Sequence, residues 1–199
     1  MEPSQTRHAP PSELHEIRLV GRGGTGVVTA GEVLGKAAVV EGRWAQAIPT
    51  FGPERRGALS SCTLRISGEE ILLKCGSIRP DVLVVIDRTI WRHAPVTGGL
   101  AEGAALIFNT PASPADLEKD LRLDIERYEL FTVDANAIAL EFLGRVITNT
   151  AMMGALSGAT QLPGMESIRG AIRERFGKVA DRNIAAAEAA RDRLRKLGG

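Results

Sequence analysis

The sequence predicts an α/β protein: an open, Rossmann-like mixed sheet with a β-hairpin insertion and a helical C-terminal third. Three observations lead there. The apolar segment Ile17-Arg18-Leu19-Val20 enters a glycine-rich loop, Gly21-Arg22-Gly23-Gly24-Thr25-Gly26, that opens into a helical pattern. Nearly continuous β-branched runs such as Asp81-Val82-Leu83-Val84-Val85-Ile86-Asp87 have the composition of strands buried on both faces of a parallel sheet. From Asp134 onward the apolar period becomes helical.

The elements follow in order. Residues 1–15, with Pro3, Pro10 and Pro11 and no apolar core, read as a flexible arm, neither a signal peptide nor a membrane anchor. Residues 16–199 read as one domain, long enough to bury a core of its own. After the glycine loop, Val27, Ala30, Gly31, Leu34 and Ala38 recur at helical spacing and predict a helix over about 25–40. Ala30 and Gly31 allow it to approach a sheet closely, and Gly42 suits a left-handed cap. Arg43 to Pro49 is a short alternating segment that proline should stop. Ala58–Ser67 and Ile71–Lys74, joined around Gly68, read as a β-hairpin.

Residues 81–87, 104–109 and 128–133 are the following strands, with a short helix from Ser113 to Lys119 whose cap is Ser113 and whose first position is Pro114. Asp134 caps the next helix and Gly144 closes it. Three more helices are expected: one over about 149–158, one with Met165, Ile168, Ile172 and Phe176 on a face, and one with Ile184, Ala187, Leu194 and Leu197. The charges from Arg191 to Lys196 read as a solvated face, and Met152-Met153 as core filling.

With 25 Lys and Arg against 24 Asp and Glu, the net charge of +1 argues against broad affinity for nucleic acid or an anionic membrane. Cys62 and Cys75 form no Cys-x-x-Cys pair, and His8, His15 and His93 do not cluster with them at ligand spacing, so no metal or iron–sulfur cluster is expected on this chain. Two free, buried thiols suit a reducing cytoplasm.

A strand, a glycine loop and a helix place backbone N–H groups at a positive helix end, where phosphate binds. Gly21, Gly23 and Gly26 satisfy the G-x-G-x-x-G pattern of dinucleotide folds. That fingerprint also needs an acid at the end of the second strand, and Glu41 falls before that strand begins. The extra Gly24 opens more main chain than a bare turn requires. A second anion feature is Arg55-Arg56, held between Gly52-Pro53 and Gly57. Folded beside the glycine loop, two guanidinium groups and a set of N–H donors would converge on one phosphorylated ligand.

Four stretches together carry a resemblance: Gly21 to Ala30, Gly52 to Ala58, Arg79 to Asp87 and Asn149 to Gly154. In this order, over about Glu16 to Ala190, the chain resembles the gamma subunit, or the corresponding fused domain, of the 2-oxoacid:ferredoxin oxidoreductases. It departs at Thr25, where most relatives carry Gln. The resemblance implies a subunit of a complex that oxidatively decarboxylates a 2-oxoacid to an acyl-CoA, with electrons passing to ferredoxin or a related acceptor. Thiamine diphosphate, Mg and 4Fe-4S clusters would sit in alpha, beta and delta-type partner subunits, since this chain has neither a Gly-Asp-Gly stretch nor cluster cysteines. Coenzyme A would be contacted by Gly23, Gly24, Thr25 and Gly26 with Arg55 and Arg56, and no residue of this chain would be catalytic. Two other readings stand beside this one: a stand-alone NAD-binding dehydrogenase, and a purely structural subunit whose arginines pair with acids across an interface.

Overall fold

A computed structural model describes residues 14–51, 58–73, 75–76, 79–92, 96–113, 115–117 and 127–196. Among these residues the sheet has seven strands: β1 (His15–Arg22), β2 (Trp44–Phe51), β3 (Leu59–Ser67), β4 (Val82–Val85), β5 (Ala105–Asn109), β6 (Glu129–Val133) and β7 (Arg195–Lys196). They lie in the order β2-β3-β1-β4-β5-β6-β7. The central four, β1, β4, β5 and β6, are parallel, while β3 pairs antiparallel with β1, β2 antiparallel with β3, and β7 antiparallel with β6. The chain leaves β1 toward one edge and resumes with β4 on the other side of β1. The carboxyl ends of β1 and β4 therefore flank the point where the winding reverses, the usual place for a crevice in an open α/β sheet.

Both faces are covered, as the β-branched runs require. One face packs against the helices α1 (Val27–Val40), α2 (Ala135–Leu143), α3 (Asn149–Thr160), α4 (Met165–Phe176) and α5 (Ala180–Asp192), through residues such as Leu19, Val84 and Ile107. The other buries Val20, Leu83, Val85, Leu106 and Phe108 beneath Ile90, Val96 and Leu117. Within β4, successive valines and leucine thus go to opposite cores.

The helix boundaries follow their chemical signals. Asp134 accepts the Ala137 N–H at 2.9 Å and Gly144 closes α2 at φ 69°. Ser113 Oγ accepts the Asp116 N–H at 3.1 Å, so the capping part of the predicted short helix is present, although its remainder from residue 118 lies outside the described residues. Gly42 takes φ 77° just past α1. The close approaches fall at small residues. A Cβ on Gly31 would sit 2.4 Å from Cys62 Sγ, which brings α1 onto β3. A Cβ on Gly154 would sit 1.8 Å from the Ala187 carbonyl oxygen, which brings α3 onto α5. Met152 and Met153 are buried core residues.

Four expectations are corrected. The hairpin is formed by β2 and β3, closing over residues 52–58, and not by β3 with residues 71–73, which form no strand. Proline does not stop the second strand: β2 continues through Pro49 to Phe51, because it is the edge strand, where a missing N–H can face outward. The charges at the C-terminus are not merely solvated. Arg195 and Lys196 form β7 against β6, Lys196 pairs with Glu129 at 2.8 Å, and Arg193 makes a two-pronged pair with Glu141. Of the two free thiols, Cys62 is buried but Cys75 is exposed.

Where β1 and β3 face away from the helices, Arg65 is fully buried and donates to Glu16 at 2.9 Å, to Gln46 at 3.1 Å and to the Cys75 and Gly76 carbonyls at 2.8 and 2.7 Å. Glu16 also accepts the Arg79 N–H at 3.1 Å. This buried pair ties the segment before β4 to the sheet.

Candidate functional site

The glycine loop is built by opposing demands on its backbone. Gly26 stands at φ 82° as the N-cap of α1, and Gly24 at φ 97°. Both conformations are costly for a residue with Cβ. Among the described residues nothing lies within 4 Å of a Cβ added to Gly24, whereas Gly26 is pressed by the Asn149 side chain, whose Nδ2 would be 2.7 Å from such a Cβ. At Gly21 an added Cβ would lie 2.6 Å from Thr25 Oγ1. Two N–H groups are used to shape the loop: Gly23 donates to the Ala58 carbonyl at 2.9 Å and Thr25 to that of Arg22 at 3.0 Å. The first turn of α1 has no side-chain cap and no acidic residue. It presents a positive end with nothing on the helix itself to neutralise it.

Thr25 also shapes the loop through its side chain. Its hydroxyl donates back to the Arg22 carbonyl at 2.8 Å, so it closes the turn. The Gly23 bond has a longer reach. It fastens the glycine loop to Ala58, which follows the Arg55-Arg56 stretch, and the pairing of Phe51 with Ser60 fixes the strand ends on both sides of that stretch. Arg55 and Arg56 themselves lie outside the described residues.

Beside the loop a cleft of about 470 Å³ opens over the carboxyl ends of β1, β4 and β5. Gly24, Thr25, Asp87, Arg88, Asn109 and Thr110 line it, together with Asn136 of α2 and the 146–148 segment that leads into α3. Asp87 accepts the N–H and hydroxyl of Thr89 at 2.9 and 2.7 Å and pairs with Arg22 at 3.7 Å, so it caps its turn and holds the rim. Arg88 donates to Thr110 at 3.2 Å. Asn109 directs its amide N–H groups to the Ile86 carbonyl at 2.9 Å and to Asn136 at 3.0 Å. Gly24 and Thr25 carried a signal in the sequence through the glycine loop, whereas Arg88, Asn109, Thr110 and Asn136, at the ends of other elements, carried none. Glu41 lies at the other end of α1, where it accepts the Gly164 N–H at 2.7 Å. It is therefore remote from the loop and cannot serve as the ribose acid of a dinucleotide site.

Residues 16–193 match the pyruvate ferredoxin/flavodoxin oxidoreductase family. The chain belongs to that family. It is 41% identical to the pyruvate synthase subunit PorC of Methanocaldococcus jannaschii, over 92% of this chain and 99% of the relative. It is 44% identical to the pyruvate/ketoisovalerate oxidoreductases common subunit gamma of Thermococcus kodakarensis, over 88% and 94%. Among solved structures, the pyruvate oxidoreductase subunit PORC of Thermotoga maritima superposes with a TM-score of 0.81 at 33% identity, covering 92% of this chain and 98% of that one. The family resemblance and the α/β fold expected from the sequence are both met. The family's match begins at Glu16, in β1 just ahead of the glycine loop, and runs through α5.

Proposed function

We propose that this chain is the gamma subunit of a 2-oxoacid:ferredoxin oxidoreductase, whose complex oxidatively decarboxylates a 2-oxoacid to an acyl-CoA and passes the electrons to ferredoxin or a related acceptor. Relatives named as gamma or PorC subunits, matched over nearly their whole length, support the subunit role. In this reading thiamine diphosphate with Mg and the 4Fe-4S clusters reside in alpha, beta and delta-type partners, where they supply carbanion stabilisation and electron transfer. Among the described residues no cluster of His, Cys, Asp or Glu is arranged to hold a metal ion. No described helix is long and apolar enough to cross a membrane. The complex is assigned to the cytoplasm.

The part of this chain is to hold coenzyme A. Its pyrophosphate is received at Gly23, Gly24, Thr25 and Gly26, and its remaining phosphate charge by Arg55 and Arg56. The observation that carries this is the Gly23 to Ala58 hydrogen bond, which holds Ala58, the residue two positions after Arg56 in sequence, beside an uncapped, acid-free helix end. The open space at Gly24 fits a phosphate against bare backbone. Thr25 contributes its turn, and the cleft beside the loop leaves room for the rest of the nucleotide. Held in this way, the ligand's thiol is free to reach an intermediate formed in the neighbouring subunits. A nicotinamide dinucleotide is disfavoured by the distant position of Glu41.

The test is to isolate the native complex, identify its subunits, and assay a panel of pyruvate, 2-oxoglutarate, branched-chain and aryl 2-oxoacids for reduction of a low-potential acceptor. Acyl-CoA formation that requires both a 2-oxoacid and coenzyme A is expected. A complex that reduces NAD without coenzyme A would refute the proposal.

A further inference from the structure

The segment joining α2 to α3 forms a ridge at the carboxyl end of the sheet. Val146 is 61% exposed and Ile147 40%, although the next residue, Thr148, is buried. Both line the cleft beside the glycine loop, and Ile147 also lines a hollow of about 140 Å³ on the far side of the ridge. That hollow is closed by Phe176, Val179, Arg145 and Arg182, with Val179 itself 50% exposed. Ile147 and Val179 therefore stand in water at the hollow and Val146 at the adjoining cleft, where solitary exposed apolar residues would call for no explanation.

The charge around them is one-sided. Arg145, Lys178 and Arg182 are exposed and, among the described residues, none is paired with a carboxylate. Elsewhere on the helical third the half-buried Arg169 bonds Glu166 and Glu188 and the exposed Arg193 bonds Glu141, whereas Arg173 and Arg175, in the last turn of α4, also have no carboxylate partner among the described residues. The acids nearest the ridge in sequence are Glu141, which Arg193 engages, and Asp181, in the first turn of α5, which serves that helix end. An apolar centre with an unpaired cationic rim has the anatomy of half an interface.

We propose that this ridge is the docking face for a partner subunit of the same oxidoreductase, one that offers an aliphatic or aromatic group to the hollow and carboxylates to Arg145, Lys178 and Arg182. Because Ile147 belongs to both depressions, the partner that fills the hollow also stands over the mouth of the cleft. The inference rests on the chain acting as a subunit, and it does not depend on which ligand the cleft takes.

The experiment is co-expression of the affinity-tagged chain with its partner subunits. The variants are Val146→Asp with Val179→Asp, Arg145→Glu with Arg182→Glu, and Glu102→Arg at the opposite end of the sheet as control. Each chain is also purified alone, to confirm folding by circular dichroism and to measure mass by light scattering. Retention of partners should fall about tenfold or more for the apolar pair. The charge-reversed pair should retain less at low salt and lose the salt dependence shown by the parent. The control should match the parent. Undiminished retention by both ridge variants would overturn the proposal. So would a parent chain that is a dimer alone and becomes a monomer on the apolar substitutions, since the ridge would then bind a second copy. A parent complex that assembles normally, loses its partners on the ridge substitutions and turns over without coenzyme A would strike the ligand reading and leave this one standing.

Discussion

The Asn149 side chain closes against Gly26 so tightly that a Cβ on the glycine would come within 2.7 Å of Nδ2 and 3.1 Å of the asparagine Cβ. The first residue of α3 thus braces the N-cap of α1 across the top of the domain. Gly26→Ala should strain the backbone at φ 82° and push Asn149 aside together. A loss of at least about 1–2 kcal/mol is expected from the left-handed conformation alone. Urea denaturation checks the stability. Gly24→Ala should cost a similar backbone penalty without the clash, so the difference between the two variants measures the brace.

Gly154→Ala tests packing away from the site. The new methyl would meet the Ala187 carbonyl at 1.8 Å, and backbone on a neighbouring helix cannot move aside as a side chain can. The cost should lie at or above the top of the ~1–3 kcal/mol range for overpacking. Gly170→Ala, where an added Cβ meets nothing within 4 Å, should be neutral or stabilising by thermal melting.

Glu16→Gln should leave the Arg65 guanidinium buried without its counter-charge. Breaking a buried pair on one side typically costs about 3–5 kcal/mol. A double substitution of Glu16 and Arg65 by apolar residues of similar volume should recover much of that loss, as read from urea midpoints.

Burial, with a smaller contribution from Glu32, pushes the Cys62 thiol up to about 11. A raised thiol favours the folded state only while neutral. That stability is complete below the ordinary value of 9.0 and is lost as pH rises through about 11. Cys62→Ala should remove this part of the alkaline slope. In the native protein a thiol reagent should modify the exposed Cys75 quickly and Cys62 only on unfolding.

Much of the fold was legible because its signals are local. The glycine loop, the β-branched run at 82–85, the Asp134 cap and the Gly144 stop each act within a few residues. The errors arose where a distant partner decides. Pro49 breaks a central strand but is accepted in β2, whose edge position is set by the whole sheet. Arg195 and Lys196 have no intrinsic strand signal and pair because α5 delivers them beside β6. The same division holds for the site. The glycine loop could be seen in the glycine spacing, but Asn109 and Thr110 at the end of β5 converge with Asn136 of α2, and no local pattern marks them. The turn-closing bond from the Thr25 hydroxyl to Arg22, three residues back, had no signal in the sequence either.

The glycine loop and the Arg55-Arg56 segment are proposed to form one coenzyme A surface. Its most direct test is the apparent KM for coenzyme A in the purified complex carrying Arg55→Ala and Arg56→Ala. Each guanidinium bonded to phosphate contributes about 1.5–3 kcal/mol, so removing both should raise that KM by roughly 100-fold or more, with the complex intact and coenzyme A-independent decarboxylation unchanged. An unaltered KM, or a complex that falls apart while its ligand affinity is preserved, would contradict the account.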